Sequence, residues 1–206
     1  MMWRGVTRGP SFLGGRTMAM AGKRDCKFVC YPIEEFNDGT CLINWIADRA
    51  MAEDYVWREQ DWNREGRLDD FLGVFSDWTF DWLDVPEIIT TAQSVWEYPM
   101  VDRNPLPRWS HGRMTRLGDA AHAMYPIGSN GASQAIIDAR VIGRCMLAHG
   151  VTPAALKAYD DELCGPVGAL SLRNRGAGPF GLLNLVEDRC GGEFDDIDDV
   201  IPRADL

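Results

Sequence analysis

The feature that most constrains the fold is a strand–turn–helix segment, LGDAAHAMYPIGSNGASQAIIDA, at residues 117–139. The pattern predicts a strand that ends at Leu117, a tight turn at Gly118, and a carboxylate at Asp119 where the chain leaves the strand. A glycine-rich loop then opens a helix that is predicted over 132–149. The free N–H groups at the start of such a helix favour an anion or an electron-rich oxygen. The segment therefore predicts a nucleotide-like cofactor over a strand end and a helix start.

The loop in this segment differs from two common phosphate-binding loops. No GxGxxG follows a strand at the head of a βαβ unit, and no GxxxxGK[ST] occurs in the chain. These are the loops with which dinucleotide-binding and P-loop domains hold phosphates. The sequence therefore excludes both as the origin of a cofactor site.

Four β-rich segments separated by turn residues make up the first fifty residues: WRGVT, TMAMAG, KFVCYPIE and TCLINWIAD. Short segments of this kind favour an antiparallel sheet with one covered face. Asn44 and Trp45 fall on opposite faces of the last segment, because side chains alternate along a strand. Asn44, Trp45 and Tyr31 are candidates for lining a substrate cavity, with core filling as the alternative for each.

Helical periodicity follows, interrupted by one more strand. Apolar residues at i, i+3, i+4 and i+7 predict a helix over 67–82, and a second helix is predicted over 85–93. SVWEYPMVD predicts a strand. A helix that starts at Pro153 is expected to break at Gly165-Pro166, and a last helix is predicted over 179–189. The fold class is therefore α+β, with an antiparallel sheet and helices first, then the strand–turn–helix piece and C-terminal helices.

Composition excludes several classes of function. The net charge of −10 makes nucleic acid an unsuitable partner, since phosphate binding needs clustered Lys and Arg. No apolar run approaches the ~20 residues that a membrane span needs, and no secretory signal precedes the first strand. The six cysteines form no CxxC pair and have no clustered His, so we expect reduced, packed thiols, no metal site and a cytoplasmic location.

The motif GDAAH…P…G.N resembles the second FAD-binding motif of the flavin-dependent aromatic hydroxylases, the para-hydroxybenzoate hydroxylase class. The segments WRGVTR, KFVCYPIE, INW, SHGRMTRLGDAAHAMYPIGSNGASQAI and NRGAGPFGLLNLVEDRCGG resemble the phenazine-carboxylate hydroxylase-like branch of that class. The resemblance implies an FAD-dependent monooxygenase. NADH or NADPH would reduce FAD, molecular oxygen would form a flavin C4a-hydroperoxide, and one oxygen atom would pass to a small aromatic or phenazine-like substrate.

The resemblance also implies roles for individual residues. Gly118 and Asp119 match the pair whose carboxylate contacts the FAD ribose, and Pro126 matches the proline beside the flavin ring. Tyr125 would lie close to the ring and touch substrate. The remaining implied flavin contacts are the loop and helix-start residues Gly128, Asn130, Gly131, Ala132 and Ser133. No side chain has to act as a nucleophile, so no catalytic residue is assigned.

The family's opening GxGxxG unit does not precede the first strand, so the chain resembles the C-terminal half of such a hydroxylase. The expected domains are the substrate-domain sheet and helices at 1–101, the FAD-binding piece at 102–150, and C-terminal helices at 151–206. Two alternatives stay open: a non-catalytic remnant, or half of a split flavoprotein that cannot hold FAD alone. A homodimer or a complementing N-terminal half is the expected partner, because the FAD-domain piece would expose apolar surface.

Two charged features have a competing interpretation. His122 could act as a general base, but a structural imidazole bonded to backbone near the turn is the favoured interpretation. Arg4 and Arg8 on the first strand could attract an anionic aromatic acid or face solvent.

Overall fold

The structure, a computed structural model, describes residues 1–52, 54–55, 62–176 and 178–203. Its contacts group into two compact units. Unit 1 comprises Met1–Met100 and Leu182–Leu206, and unit 2 comprises Val101–Gly181. The predicted three-part division into domains stays a prediction.

Unit 1 contains a five-stranded antiparallel sheet. The strands are β1 (Met2–Pro10), β2 (Ala19–Lys23), β3 (Cys26–Glu35), β4 (Thr40–Arg49) and, after the short β5 (Thr79–Phe80) and β6 (Leu83–Asp84), β7 (Val95–Tyr98). The order across the sheet is β2-β3-β4-β1-β7, and β5 pairs with β6 in a separate hairpin. The predicted antiparallel sheet, the strand within SVWEYPMVD and the α+β class are confirmed.

One face of this sheet carries an aromatic core. Ile43, Trp45 and Ala47 alternate into it along β4, each at most 1 % exposed. The Trp3 and Phe71 rings stack on each other at 4.7 Å. Since burying an aromatic side chain is among the largest single contributions to folding, this face holds the sheet together.

The predicted helix over 67–82 is wrong. The chain forms two 3₁₀ turns, Leu68–Asp70 and Leu72–Phe75, and then the β5–β6 hairpin. Phe71 lies between the turns with φ −142°, and its ring stacks on Trp3 in the core. The apolar spacing therefore marked the buried side chains correctly, while tertiary packing decided the backbone. The following helix, α1 (Val85–Thr90), forms with a proline in its first turn, as predicted.

Unit 2 is built from helices: α2 (Asp119–His122), α3 (Gly131–His149) and α4 (Pro153–Arg173), with the start of α5 (Phe180–Cys190). A last short helix, α6 (Ile197–Val200), belongs to unit 1. α3 ends at Gly150, whose φ is 71°, as the sequence predicts. The α3–α4 interface buries mostly small and aromatic side chains: Val141, Cys145, Ala155, Tyr159, Cys164 and Val167.

Two predictions for unit 2 are wrong. The strand predicted to end at Leu117 does not form, and the nearest ladder contact is an isolated bridge between His111 and Met114. A strand needs a hydrogen-bonded neighbour, and the described part of unit 2 supplies none. α4 also continues through Pro166. The buried Val167 and Ser171 beyond the proline stay on the packed side of the helix, and this packing offsets the lost hydrogen bond.

All six cysteines are free, as predicted. No helix within the described ranges combines the length and the apolar character that crossing a membrane requires.

Candidate functional site

The site begins at Gly118, in the turn that leads from the preceding loop into α2. Gly118 adopts φ 57° and ψ −143°, a backbone conformation that only glycine adopts readily. Its carbonyl accepts hydrogen bonds from the N–H groups of Ala121 and His122 at 2.9 and 3.0 Å. Asp119 follows as the first residue of α2, and its exposed carboxylate accepts no hydrogen bond from the described residues. The turn therefore presents a carboxylate with its acceptor capacity unused.

A buried carboxylate lies behind this turn. Asp138 of α3 has no solvent exposure, and its Oδ2 accepts a hydrogen bond from the Gly118 N–H at 2.8 Å. The same oxygen lies 2.6 Å from His122 Nε2, and Gln134 Nε2 donates to Oδ1 at 3.3 Å. Because Oδ2 is an acceptor, this network assigns the ring proton to Nε2 of His122.

The predicted backbone partner of His122 is therefore wrong, although its structural position is as expected. The imidazole bonds to the Asp138 side chain, because α3 brings that carboxylate under the turn. His122 Nδ1 is buried and has no partner among the residues described. The ring is enclosed by Trp109, whose centroid lies 5.4 Å away.

The wall of this buried cluster continues to Tyr159. The Trp109 and Tyr159 rings lie 5.5 Å apart, and the Tyr159 hydroxyl donates to the Arg116 carbonyl at 3.2 Å. Burial raises the pKa of the Tyr159 phenol, and the negative charge of Asp138 raises it further. The phenol therefore stays protonated and remains a hydrogen-bond donor at neutral pH.

The loop from α2 to α3 contributes unpaired backbone donors. It passes Tyr125, makes a 3₁₀ turn at Pro126–Gly128, and reaches α3 through Ser129 at φ 52°. Asn130 precedes α3 without a side-chain cap, and Gln134 is the first residue of the helix whose N–H bonds back, to the Asn130 carbonyl. The N–H groups of residues 131–133 thus have no acceptor in the described ranges.

The segment after α4 supports this loop from behind. A Cβ at Gly128 would lie 2.8 Å from Oδ1 of the buried Asn174, and one at Gly178 would lie 2.4 Å from the Ile127 side chain. Asn174 Nδ2 also lies 3.1 Å from the Met124 sulfur. The close approach explains why glycine occupies positions 128 and 178.

The letters GAGPFG at residues 176–181 fit the string GxGxxG, but their setting is different. They follow the helix α4 and lead into α5, whereas the dinucleotide-binding fingerprint follows a strand. This segment therefore packs against the 126–128 turn and is not the phosphate loop of a βαβ unit.

The residues of unit 2 fit a nucleotide cofactor with a ring that bears carbonyl oxygens. Asp119 offers an unused acceptor for sugar hydroxyls, and the start of α3 offers unused donors for a ring oxygen. Ala132 and Ser133 are exposed there, and Gly128 keeps the loop backbone free of side chains. The eight residues that the sequence predicts for cofactor binding all lie in this one stretch of unit 2, from Gly118 to Ser133.

The residues predicted to contact substrate are divided between faces and units. Tyr31 and Asn44 are paired across β3 and β4 and lie on the sheet face opposite the aromatic core. Trp45 lies on the core face, has no exposed surface, and donates from Nε1 to Thr7 Oγ1 at 3.1 Å. For Trp45 the structure thus supports the alternative of core filling. Tyr125 belongs to unit 2 and is half-buried.

Comparison with known proteins identifies the class. Residues 86–172, which include the Gly118 turn, the start of α3 and Asp138, match the family described as FAD binding domain. This stretch of the chain therefore resembles an FAD-binding domain.

Two of the relatives are named for hydroxylation of aromatic acids. The chain is similar to phenazine 1,6-dicarboxylic acid hydroxylase of Lysobacter antibioticus, with 44 % identity over 177 residues that cover 84 % of this chain and 44 % of the relative. It is 34 % identical to 3-amino-4-hydroxybenzoate 2-monooxygenase of Streptomyces platensis, covering 82 % of this chain and 42 % of that protein. The chain therefore spans less than half the length of these two relatives.

A solved structure shows the same fold. A substrate complex of salicylate hydroxylase superposes with a TM-score of 0.64 over 97 % of this chain and 55 % of that chain, at 23 % sequence identity.

Asp138 is the part of the site that sequence reasoning missed. It lies within the segment 117–139, but a single acid on an apolar helix does not by itself indicate a functional site. Its signal is the spacing of Gln134, Asp138, Val141 and Cys145 at i, i+4, i+7 and i+11, all on the buried side of α3. A carboxylate on a buried helix face needs donors, and the adjacent turn supplies them.

Proposed function

We propose that this chain holds the flavin-facing part of an FAD-dependent monooxygenase that hydroxylates a small aromatic acid, with NADH or NADPH as reductant and molecular oxygen as oxidant. One observation carries the proposal: the unused Asp119 carboxylate and the unused N–H groups of residues 131–133 occur together in the segment that matches the FAD-binding family. When bound, FAD supplies the activation of oxygen.

Each residue of this segment has a defined task in the proposal. The Asp119 carboxylate accepts hydrogen bonds from the ribose hydroxyls, and Gly118 gives the backbone the turn that presents it. The N–H groups of Ala132 and Ser133 donate to a pyrimidine oxygen of the flavin. The dipole of α3 stabilises negative charge at that oxygen, in the manner of an oxyanion hole. Pro126 and the Gly128–Gly131 loop border the ring.

The first test is an FAD titration of the purified chain, read by flavin fluorescence and calorimetry. Micromolar or tighter binding is expected, and Asp119→Ala should weaken it about tenfold, the effect of one hydrogen bond to a charged group. Asp161→Ala is the matched control, because Asp161 is an exposed carboxylate of α4 that pairs with Lys157. Equal affinities for the wild type and Asp119→Ala would contradict the assigned site.

The open face of the unit 1 sheet is the proposed substrate surface. Arg4 Nη2 donates to Asn44 Oδ1 at 3.3 Å, and this contact leaves Asn44 Nδ2 buried without a partner among the described residues. Tyr31 lies beside Asn44 across the β3–β4 pair. The exposed guanidinium of Arg4 suits a carboxylate on an aromatic ring, and the Lysobacter relative is named for a phenazine dicarboxylic acid.

The substrate proposal is tested by ligand binding to the same chain. Phenazine 1,6-dicarboxylic acid should bind more tightly than uncharged phenazine, and Arg4→Met should remove most of this preference. Arg8→Met is the control, since Arg8 lies on the same face of β1 but is already paired with Asp38 at 2.7 Å. Equal binding of the charged and uncharged ligands by the wild type would contradict a carboxylate site.

An exposed apolar surface favours a complementing chain segment as partner. The described part of unit 2 exposes several large apolar side chains, and among them Leu147 and Val151 are 91 % and 84 % exposed. The others are Val101, Met114, Leu117, Ile136, Ile137 and Leu172. Burial of apolar surface of this extent stabilises an interface. We infer that a segment carrying a GxGxxG unit covers this outer surface and completes the FAD site.

Sedimentation velocity distinguishes the partners. Adding the separately produced part of the Lysobacter relative that this chain does not match should give a one-to-one complex that binds FAD more tightly than either part. Leu147→Asp should prevent this complex. A homodimer that the added segment does not dissociate would favour self-association instead, and a sharp monomer peak in all mixtures would contradict the inference. NADH and NADPH oxidation with aromatic acids would then be measured on the complex.

A further inference from the structure

We propose that Asp138 is the positioning residue of the FAD site: its carboxylate holds the Gly118–Asp119 turn and the start of α3 in one fixed arrangement through acceptor bonds to Gly118, His122 and Gln134. The inference rests on the proposed function for the identity of the ligand. Asp138 touches no cofactor in this assignment and acts through Asp119.

The three donors belong to the two segments that the cofactor would touch. Gly118 N–H and His122 Nε2 lie in and just after the turn, and they converge on Oδ2 at 2.8 and 2.6 Å. Gln134 lies one residue after Ser133 and bonds to Oδ1 at 3.3 Å. One buried side chain therefore connects the turn that carries Asp119 with the helix start that carries the free N–H groups.

The turn needs a stabilising contact because its backbone conformation is intrinsically unfavourable. Gly118 sits at φ 57° and ψ −143°, and α2 behind it is only four residues long. A short helix has little stability of its own in water. Without the acceptor at Asp138, the buried Gly118 N–H and His122 Nε2–H would both lose their partner, and relieving them requires the turn to move.

What the position requires is an acceptor oxygen more than a charge. In Asp138→Asn the amide oxygen can still accept from Gly118 and His122, while Gln134 turns its own amide to face the new NH₂ group. In Asp138→Ala no acceptor remains. The two variants therefore separate loss of the hydrogen bonds from loss of the negative charge.

The first measurement is amide NMR of the cofactor-free chain. In the wild type a coupling across the hydrogen bond between the Gly118 nitrogen and the Asp138 carboxyl carbon is expected, and the Gly118 N–H should exchange slowly. In Asp138→Ala the Gly118 exchange should accelerate roughly tenfold or more, the effect of one lost hydrogen bond to a charged group, while α4 amides stay protected. Asp160→Ala is the control, because it removes the comparable bond to the Trp109 N–H at 2.8 Å.

The second measurement is a double-mutant cycle on FAD affinity with Asp119→Ala. Asp138→Ala alone should weaken FAD binding roughly tenfold, whereas Asp138→Asn should stay within about threefold of the wild type. Because Asp138 positions the turn that carries Asp119, the double variant should lose less affinity than the product of the two single losses. General destabilisation would instead make the two losses multiply.

The outcomes are separable from those of the proposed function. If the wild type binds no FAD, the proposed function of the isolated chain fails, and the NMR arm alone decides the role of Asp138. Absence of the coupling in the wild type overturns the inference, even if Asp138→Ala fails to fold. Multiplying losses in the cycle, or an Asp138→Asn variant as defective as Asp138→Ala, also overturn it.

Discussion

Both units bury an apolar cluster, but they differ in the groups packed beside it. Unit 1 closes one sheet face with stacked aromatic rings, among them Trp3, Trp45 and Phe71. Unit 2 buries the charged Asp138 completely and leaves Ile136 and Leu147 of the same helix 71 % and 91 % exposed. In unit 1 the interior serves the stability of the sheet. In unit 2 a buried carboxylate bonds to a turn, and apolar side chains of α3 are exposed.

Because of this difference, the two units should be sensitive to different kinds of substitution. An apolar core responds to lost volume, since each removed group takes transfer free energy with it and leaves a cavity. A polar interior responds to lost partners and to backbone strain, since the remaining groups stay buried and unsatisfied. Substitutions of each kind should therefore have unequal effects in the two units.

The largest effect is expected for Trp45→Ala in unit 1. Trp45 has no exposed surface, its indole N–H bonds to Thr7, and a Cβ on Gly5 would lie 2.5 Å from its ring, so the pocket fits it closely. The variant should lower the free energy of unfolding by about 4 kcal/mol. Urea denaturation measures this. Trp82→Ala, at a tryptophan that is 41 % exposed, should cost less than half as much, and equal losses would contradict the assigned core.

Gly118→Ala in unit 2 should lower the free energy of unfolding by about 2 kcal/mol, because alanine is strained at the φ of 57° found there. Steric contact is not the cause, since the new Cβ would meet only the Ala135 Cβ at 3.5 Å. Gly143→Ala is the control with opposite sign. Gly143 lies inside α3 with open space around it, so alanine should stabilise the chain by about 0.5–1 kcal/mol. Urea denaturation with hydrogen exchange of unit 2 peptides checks both signs.

Local pattern predicted those elements whose own residues decide them. Strands β1–β4 are bounded by turn residues and β1 alternates in burial, and α3 has both its apolar stripe and the glycine that ends it. The GDAAH motif indicated the position of the candidate site for a related reason, since the backbone of the turn needs Gly118 and the turn presents the carboxylate of Asp119.

The remaining features depend on partners distant in sequence. The strand before Gly118 is absent because pairing requires a neighbour, and α4 passes Pro166 because the packed side chains on either side of it hold the helix. Phe71 leaves helical geometry to stack on Trp3, 68 positions earlier in the chain. Asp138 acquires its role only when α3 folds under the turn. No pattern within a short window contains these contacts.

Alkaline pH should lower the free energy of unfolding of unit 1, by less than the substitutions above. Burial raises the pKa of Cys30 to about 12, above the ordinary thiol value of 9.0. The unfolded chain therefore loses this proton near pH 9 while the folded chain keeps it, so stability falls as pH rises between these two values. We expect a loss of about 1 kcal/mol between pH 8 and pH 10 from this thiol. Cys30→Ala should show a correspondingly flatter pH dependence in urea denaturation, and an unchanged slope would contradict a dry site at Cys30.

The smallest contrast concerns one ion pair from each unit. In unit 2, Arg175 donates to Asp102 at 2.5 Å and to Asn104 at 2.8 Å, and the Asp102 side chain is only 12 % exposed. In unit 1, the pair of Lys23 and Glu187 is exposed on both sides. Arg175→Met should cost about 1 kcal/mol and Lys23→Met less than about 0.5 kcal/mol, because solvent screens the exposed pair and the guanidinium fork is already oriented.

The dependence of stability on salt concentration should also differ between these two ion-pair variants. The Lys23 effect should vanish at 1 M NaCl, where the screening length falls to about 3 Å, while part of the Arg175 effect persists through its bond to the neutral Asn104. Since Arg175 directly follows Asn174, which supports the Gly128 turn, Arg175→Met should also increase hydrogen exchange in that turn. If both variants lost equal stability with equal salt dependence, the polar contacts of unit 2 would be no more specific than the surface pairs of unit 1.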